Sequence, residues 1–249
     1  MGGIAVLGGA GGLGAAASRQ LAKSHKLTIG YAGNADRANA LVDELTAAGG
    51  QAVAAQVDMT EPASVTDFFA KAAAQWGKLD HIVQATGPAI PLCALKDVSE
   101  DDFKRIYKTD VFGTFNVIKA GTAALAATGG GSIVIFLTTA VGRTLENDGM
   151  SGGPKHAVAG LLRQAARECG KDNVRLNGIS PGVIDAGIVH SSFVVDEVAM
   201  SVIQSCLAQT PLGRMGQPSE VASLVEYLVS DGAAYISGQL IAVDGGYAA

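Results

Sequence analysis

Apolar residues fall in short runs of strand length, separated by stretches in which they recur every three or four positions. The runs Ile4 to Leu7, Leu27 to Ala32, Ala52 to Val57, His81 to Ala85 and Ser132 to Leu137 are rich in β-branched residues and read as strands. Between them, Leu13, Ala17 and Leu21 form one helical stripe, Ala38, Leu41 and Leu45 a second, and Val65, Phe69, Ala72 and Trp76 a third. Further strands are expected at Val174 to Ile179 and Leu240 to Val243. Helices are expected from about Asp101 to Ala127, around Lys155 and from Ser219 to Val229. Alternation of strand and helix predicts an α/β fold, a single-domain Rossmann-type doubly wound parallel sheet flanked by helices. No linker, low-complexity tract or internal repeat divides residues 1–249.

Composition supports a sheet buried between helix layers: 48% of residues are hydrophobic, 16% are charged, and 33 are glycines that punctuate the pattern. Charge excludes some partners. The 18 Lys and Arg residues are scattered among 23 Asp and Glu with no basic run, which argues against nucleic acid. No apolar run approaches the length of a membrane span, and the N-terminus lacks the features of a signal peptide or myristoylation motif. Cys93, Cys169 and Cys206 lack C-x-x-C spacing and read as reduced thiols, so a cytoplasmic protein is expected. His25, His81 and His190 show no metal-ligand spacing, and no catalytic metal is expected.

The first candidate chemistry lies between the first strand and first helix, at Gly8-Gly9-Ala10-Gly11-Gly12-Leu13-Gly14. Backbone free of Cβ atoms approaches a pyrophosphate closely, and a helix N-terminus adds N–H donors and positive potential. A tight structural turn is the simpler reading of the glycines alone. Their spacing, with Gly8, Gly12 and Gly14 as G-x-x-x-G-x-G, resembles the short-chain dehydrogenase/reductase family. So do Asp58-Met59, Gln84-Ala85-Thr86-Gly87, Asn177 to Gly182 as N-x-x-x-P-G, and Asp244-Gly245-Gly246. The resemblance covers essentially the whole chain. It implies a nicotinamide dinucleotide held by Gly8, Gly11, Gly12, Leu13, Gly14, Tyr31, Asn34, Asp58, Met59, Ala85, Thr86, Gly87, Lys155, Pro181, Gly182 and Ile184. It also implies a small-molecule substrate and a homo-oligomer, dimer or tetramer, meeting through the helices that begin near Asp101 and Ser151.

Cofactor choice rests on the end of the second strand, where a carboxylate would accept from a ribose diol and repel a 2′-phosphate. Thr28 to Asn34 contains no acid, and the first is Asp36. Tyr31, Asn34 and Arg37 are candidates to receive the phosphate, Arg37 being equally readable as a solvated helix residue. NADP(H) is favoured and NAD(H) is the alternative. Ala186 stands where many family members have a threonine that binds the carboxamide.

The segment Ser151-Gly-Gly-Pro-Lys155 matches the family's active-site Tyr-x-x-x-Lys with serine in the tyrosine position. A tyrosine beside a lysine ammonium donates a proton because the cation lowers the phenol pKa. Serine ionises far from neutrality, so it orients substrate or water, or caps the helix with Pro154 in the first turn. Thr139 resembles the family's substrate-orienting serine, and Asp110 matches its helix asparagine. Phe103, Ile106, Tyr107 and Asp110 follow i, i+3, i+4, i+7 spacing, which sets a carboxylate on an apolar stripe. Such a carboxylate pairs with Lys155 or handles a proton, and the two are compatible. Glu146, Asp148 and His156 are further proton carriers near the site.

Serine before x-x-x-Lys is also similar to the dienoyl-CoA reductase branch, some of whose members carry aspartate on the equivalent helix. The expected activity is therefore reduction of a C=C, C=O or C=N bond. A non-catalytic NADP(H)-binding sensor or structural subunit is the alternative. The segment from about Gly187 to Gln209, with Ile188, Phe193, Val194, Val195, Val198 and Met200, reads as an apolar lid.

Overall fold

The computed structural model describes residues 2–186 and 197–249. Seven strands form one parallel sheet: β1 (Gly3–Leu7), β2 (Lys26–Tyr31), β3 (Gln51–Gln56), β4 (Leu79–Gln84), β5 (Gly131–Phe136), β6 (Val174–Pro181) and β7 (Leu240–Val243). Their order is β3-β2-β1-β4-β5-β6-β7, so connections run one way from β1 to β3 and the other way from β4 to β7. The reversal leaves a crevice at the carboxyl ends of β1 and β4, where ligands of open α/β sheets bind.

The helices are α1 (Gly12–Leu21), α2 (Ala35–Ala47), α3 (Pro62–Trp76), α4 (Glu100–Tyr107), α5 (Gly113–Ala126), α6 (Gly149–Cys169), α7 (Glu197–Ala208) and α8 (Pro218–Val229). Strand pleating deals successive apolar side chains to opposite helix layers. Ala5, Leu7, Ile133 and Ile135 pack with Phe69 of α3, Val117 of α5 and Leu162 of α6. Ile4, Val6, Val134 and Phe136 pack on the other face with Leu21 of α1, Leu41 of α2 and Val225 of α8. The expected strands lie within a residue or two of those observed, and Ser219–Val229 begins at Pro218.

The helix expected over Asp101 to Ala127 is not regular. A π turn at Lys108–Phe112 joins α4 to α5. The turn starts after Tyr107, and the stripe read from sequence holds for Ile106 and Asp110 but not for Phe103. Ile106 and Asp110 are buried, whereas Phe103 is 43% exposed and stacks on Tyr107 with ring centroids 4.3 Å apart. Of the expected lid, Ile188, Phe193, Val194 and Val195 lie outside the described residues. Val198 and Met200 belong to α7, with Val198 exposed.

At the amino edge of β4, the His81 ring meets His25 edge-on at 6.4 Å, and its Nδ1 is buried with no hydrogen-bond partner. Burial pushes the imidazole down to about 4, Asp80 opposing and His25 and Arg175 reinforcing the effect. The folded protein therefore holds His81 neutral while the unfolded chain takes up a proton below about 6.5. Stability carried by this group is present above that pH and is lost as pH falls toward 4. Urea unfolding at pH 7 and pH 5 is expected to show a loss of about 2 kcal/mol from this residue. In His81→Gln the pH dependence should shrink by that amount, and an unchanged dependence would count against the assignment.

Candidate active site

The turn from β1 into α1 is shaped by close backbone approach. Gly8 has φ +70°, and a Cβ there would stand 2.8 Å from the Ala85 carbonyl oxygen. A Cβ on Gly14 would lie 2.2 Å from the Gly8 carbonyl oxygen, so Gly14 closes the turn rather than facing a ligand. Gly11 caps α1, leaving the first-turn N–H groups directed at the crevice.

Two adjoining cavities follow the carboxyl ends of the strands. One, of about 570 Å³, is lined by Gly8, Gly11, Tyr31, Asn34, Arg37, Asp58, Met59, Ala85, Thr86 and Gly87. The other, of about 320 Å³, shares Gly11, Ala85, Thr86 and Gly87 and continues past Gly12, Leu13, Pro181, Gly182, Ile184 and Ala186. Asp110, Thr138, Met150, Ser151 and Lys155 also line it. Apart from Gly14, the cofactor residues expected from sequence therefore line one continuous crevice. A dinucleotide fits this arrangement. A Cβ added at Gly33 or Gly87 would meet no protein atom within 4 Å, so the backbone there borders open space.

At the far end of the larger cavity, Asn34 accepts the Arg37 N–H on Oδ1 at 2.9 Å and caps α2, leaving its amide N–H groups for a ligand. Arg37 lines the cavity beside it. The Asp58 carboxylate accepts the Thr60 N–H and hydroxyl, both at 2.8 Å, and Thr86 donates to the Met59 sulfur at 3.2 Å.

In the smaller cavity, Lys155 Nζ lies 3.1 Å from Asp110 Oδ1, and both side chains are more than nine-tenths buried. The π turn carries Asp110 and the second turn of α6 carries Lys155, so one ion pair ties two helices together across the crevice. Leaving either charge alone at this depth would cost several kcal/mol.

Two sequence readings change here. Thr139 does not reach the cavity: its hydroxyl is buried and donates to the Asp244 carboxylate at 2.6 Å. Thr138 lines the cavity instead, with extended backbone and Oγ1 accepting the Ala140 N–H at 3.3 Å. β5 ends at Phe136 and a 3₁₀ turn starts at Thr139, so the period of two that would rank two adjacent threonines has already stopped. Nor is Ser151 a helix cap. Asp148 holds that position, its carbonyl accepting the N–H groups of Ser151 at 3.1 Å and Gly152 at 3.0 Å. Pro154 correspondingly lies inside the helix rather than in its first turn. Lacking an N–H, it leaves the Met150 carbonyl without its helical donor.

The three other proton carriers separate. The Glu146 segment lines a polar pocket with Arg143 and Gln209, and His156 lines one behind Thr139, its Nδ1 2.8 Å from the Gly152 carbonyl. Burial raises the Asp148 carboxyl to about 6, the nearby Ser151 hydroxyl pulling the other way. Among the described residues, no group of three or more His, Cys, Asp or Glu is placed to hold a metal ion. No described helix is long and apolar enough to cross a membrane.

A glycine-turned dinucleotide crevice running into a buried lysine defines an α/β oxidoreductase architecture. A family model described as Enoyl-(Acyl carrier protein) reductase matches residues 8–248. An uncharacterised oxidoreductase of Methylorubrum extorquens is 32% identical over 98% of this chain and 96% of its own. A short-chain dehydrogenase/reductase from Mycobacterium ulcerans superimposes with a TM-score of 0.91 at 30% identity, covering 99% of this chain and 90% of that one. A 7α-hydroxysteroid dehydrogenase solved with NADH and 7-oxo glycochenodeoxycholic acid gives 0.88 at 31% identity, covering 98% and 94%. The chain belongs to the short-chain dehydrogenase/reductase family of NAD(P)-dependent oxidoreductases.

The bond from Thr139 to Asp244 is charge-assisted and buried at its donor. Thr139→Val keeps the shape and removes the donor, and urea unfolding should show a loss of about 1.5–3 kcal/mol. Thr138→Val, which removes a hydroxyl from the cavity wall, is expected to cost less than 1 kcal/mol by the same measurement. The reverse ranking would contradict the assignment.

Proposed function

We propose that this chain is an NADP(H)-dependent oxidoreductase with an altered proton-donating site, reducing a C=C, C=O or C=N bond of a small, partly apolar molecule. The observation that carries the reading is the continuity of the crevice from the Gly8–Gly14 turn to Lys155, Asp110 and Ser151. A nicotinamide dinucleotide, when bound, supplies the hydride. Ala85, Thr86 and Gly87 line both cavities, and Pro181, Gly182 and Ile184 line the inner one, where a nicotinamide would rest. Lys155 orients the ribose end and Asp110 holds Lys155 in place. Thr138 and Ser151 offer hydroxyls to the reacting group.

NADP(H) over NAD(H) is supported by Tyr31, Asn34 and Arg37 lining the outer cavity, with no acid in that lining except Asp58. The guanidinium suits a 2′-phosphate. Fluorescence titration is expected to give NADPH at least about tenfold tighter binding than NADH, roughly 1.4 kcal/mol. Tyr31→Asp should reverse that order, and equal binding by the native protein would defeat the assignment.

Assembly as a dimer or tetramer belongs to the same reading. Phe103, Phe112 and Phe115 are exposed along α4, the π turn and α5, an apolar face suited to a second copy. Light scattering at micromolar concentration should give a clear multiple of 25.1 kDa, and a monomer would refute it. A cytoplasmic setting is supported by three free cysteines. The second reading, a non-catalytic binder, is favoured by Asp110 neutralising Lys155. NADPH consumption with activated olefins, ketones and imines separates the two.

A further inference from the structure

Away from the lysine end of the crevice, one buried side chain is poorly matched to its surroundings. Gln84, the last residue of β4, is 1% exposed, and its Oε1 has no hydrogen-bond partner among the described residues. Burying an amide with its acceptor unpaired is costly, so packing alone would favour an apolar residue here. The other end of the amide is fully used. Gln84 Nε2 donates to the Thr114 hydroxyl oxygen at 2.7 Å and to the Thr86 hydroxyl oxygen at 3.2 Å. Thr114 is buried on α5 and anchors the amide, whereas Thr86 lines both cavities at their junction.

Thr86 is held from three sides. Its methyl packs against the glycine turn, where a Cβ on Gly8 would stand 2.8 Å from Thr86 Cγ2. Its oxygen accepts from Gln84, and its proton goes to the Met59 sulfur at 3.2 Å. Met59 is fixed in turn by α5: Asn116 donates to its carbonyl at 2.9 Å, and a Cβ on Gly113 would lie 3.2 Å from Met59 Cβ. A thioether is a weak acceptor, so an oxygen or ring nitrogen of a ligand would take that proton in its place. Of the two cavities, Met59 lines only the outer one, which directs the Thr86 O–H to the outer side of the junction.

We propose that the Thr86 hydroxyl is a hydrogen-bond donor to the adenosine half of a bound dinucleotide, and that Gln84 is the positioning residue that holds this hydroxyl ready. The inference rests on the oxidoreductase reading above and adds a side-chain contact to the same crevice. NADPH and NADH share the adenosine half, so the contact holds whichever of them is preferred. The proton rests on a weak acceptor and turns to a better one by rotation about a single bond, while the Gln84 N–H keeps the oxygen in place. An oxygen that accepts from an amide is also polarised toward donating its own proton. With the methyl, the oxygen and the sulfur all fixed beforehand, little is left to order when the ligand arrives.

The test is equilibrium binding by the full chain, read by isothermal titration calorimetry with NADPH, NADH and adenosine 2′,5′-bisphosphate. Thr86→Val keeps the shape and removes the donor, and it should weaken NADPH and the bisphosphate by the same factor, about fivefold to tenfold. Thr86→Ser keeps the hydroxyl and should bind within about twofold of the native protein. Gln84→Met keeps the length of the side chain without its donors and should weaken binding about fivefold. In a Thr86→Val background the same change should cost less than about 1.5-fold, because Gln84 acts through that hydroxyl. Thr114→Val loosens the amide from its anchored side and should weaken binding about threefold, so the positioning role does not hang on one variant. Native affinity in Thr86→Val, or a loss seen with NADPH and absent with the bisphosphate, overturns the contact. Equal losses from Gln84→Met in the native and Thr86→Val backgrounds make Gln84 a packing residue and overturn its role. Either result leaves the dinucleotide reading standing; that reading falls, and the contact with it, if the native protein binds none of the three ligands.

Discussion

The buried ion pair between Asp110 and Lys155 is the constraint on which the inner half of this molecule depends. A single contact at 3.1 Å joins the π turn to α6, and neither partner is stable alone at that depth. Satisfying it fixes the azimuth of α6, and with it the side of the helix that Ser151 presents to the crevice. It also removes Lys155 from the pool of free cations. A site built this way holds its lysine as a positioned charge. The wide turn at Lys108–Phe112 carries Asp110, one turn beyond the buried Ile106 on the same face.

The outer half follows a different logic. Its inner wall is glycine-rich backbone whose shape comes from contacts too tight for any Cβ, as at Gly8 and Gly14, and its outer wall carries Tyr31, Asn34, Arg37 and Met59. Such a turn is rigid before any ligand arrives, which reduces the ordering cost of binding. The turn at Gly8–Gly14 is thus set by backbone sterics, whereas the inner cavity is set by side chains joined in one ion pair.

This division explains what the sequence revealed. Strand pleating and helical stripes were legible because both have fixed periods, and β7 was read at its observed bounds, Leu240–Val243. The glycine turn was legible because its spacing is a steric requirement. The pairing of Asp110 with Lys155 was one of two readings and emerged from the rule that buried charges seek partners. Thr138 was missed because its neighbour Thr139 carries the same hydroxyl, and nothing local ranks two threonines once the strand has ended. Ser151 was open to a capping role because Asp148, three residues earlier, looks in sequence like any solvated loop acid. Its surroundings include Cys206 and Tyr247, which lie close enough to feel its charge and are remote along the chain.

The bond from Thr139 to Asp244 spans 105 positions. Asp244 directly follows the last strand, β7, which pairs with β6 at the edge of the sheet. On the ribosome, most of the sheet can therefore form while the crevice wall still lacks its brace. The brace arrives only once β7 has emerged, after the strands that border the crevice between β1 and β4 are already available to pair.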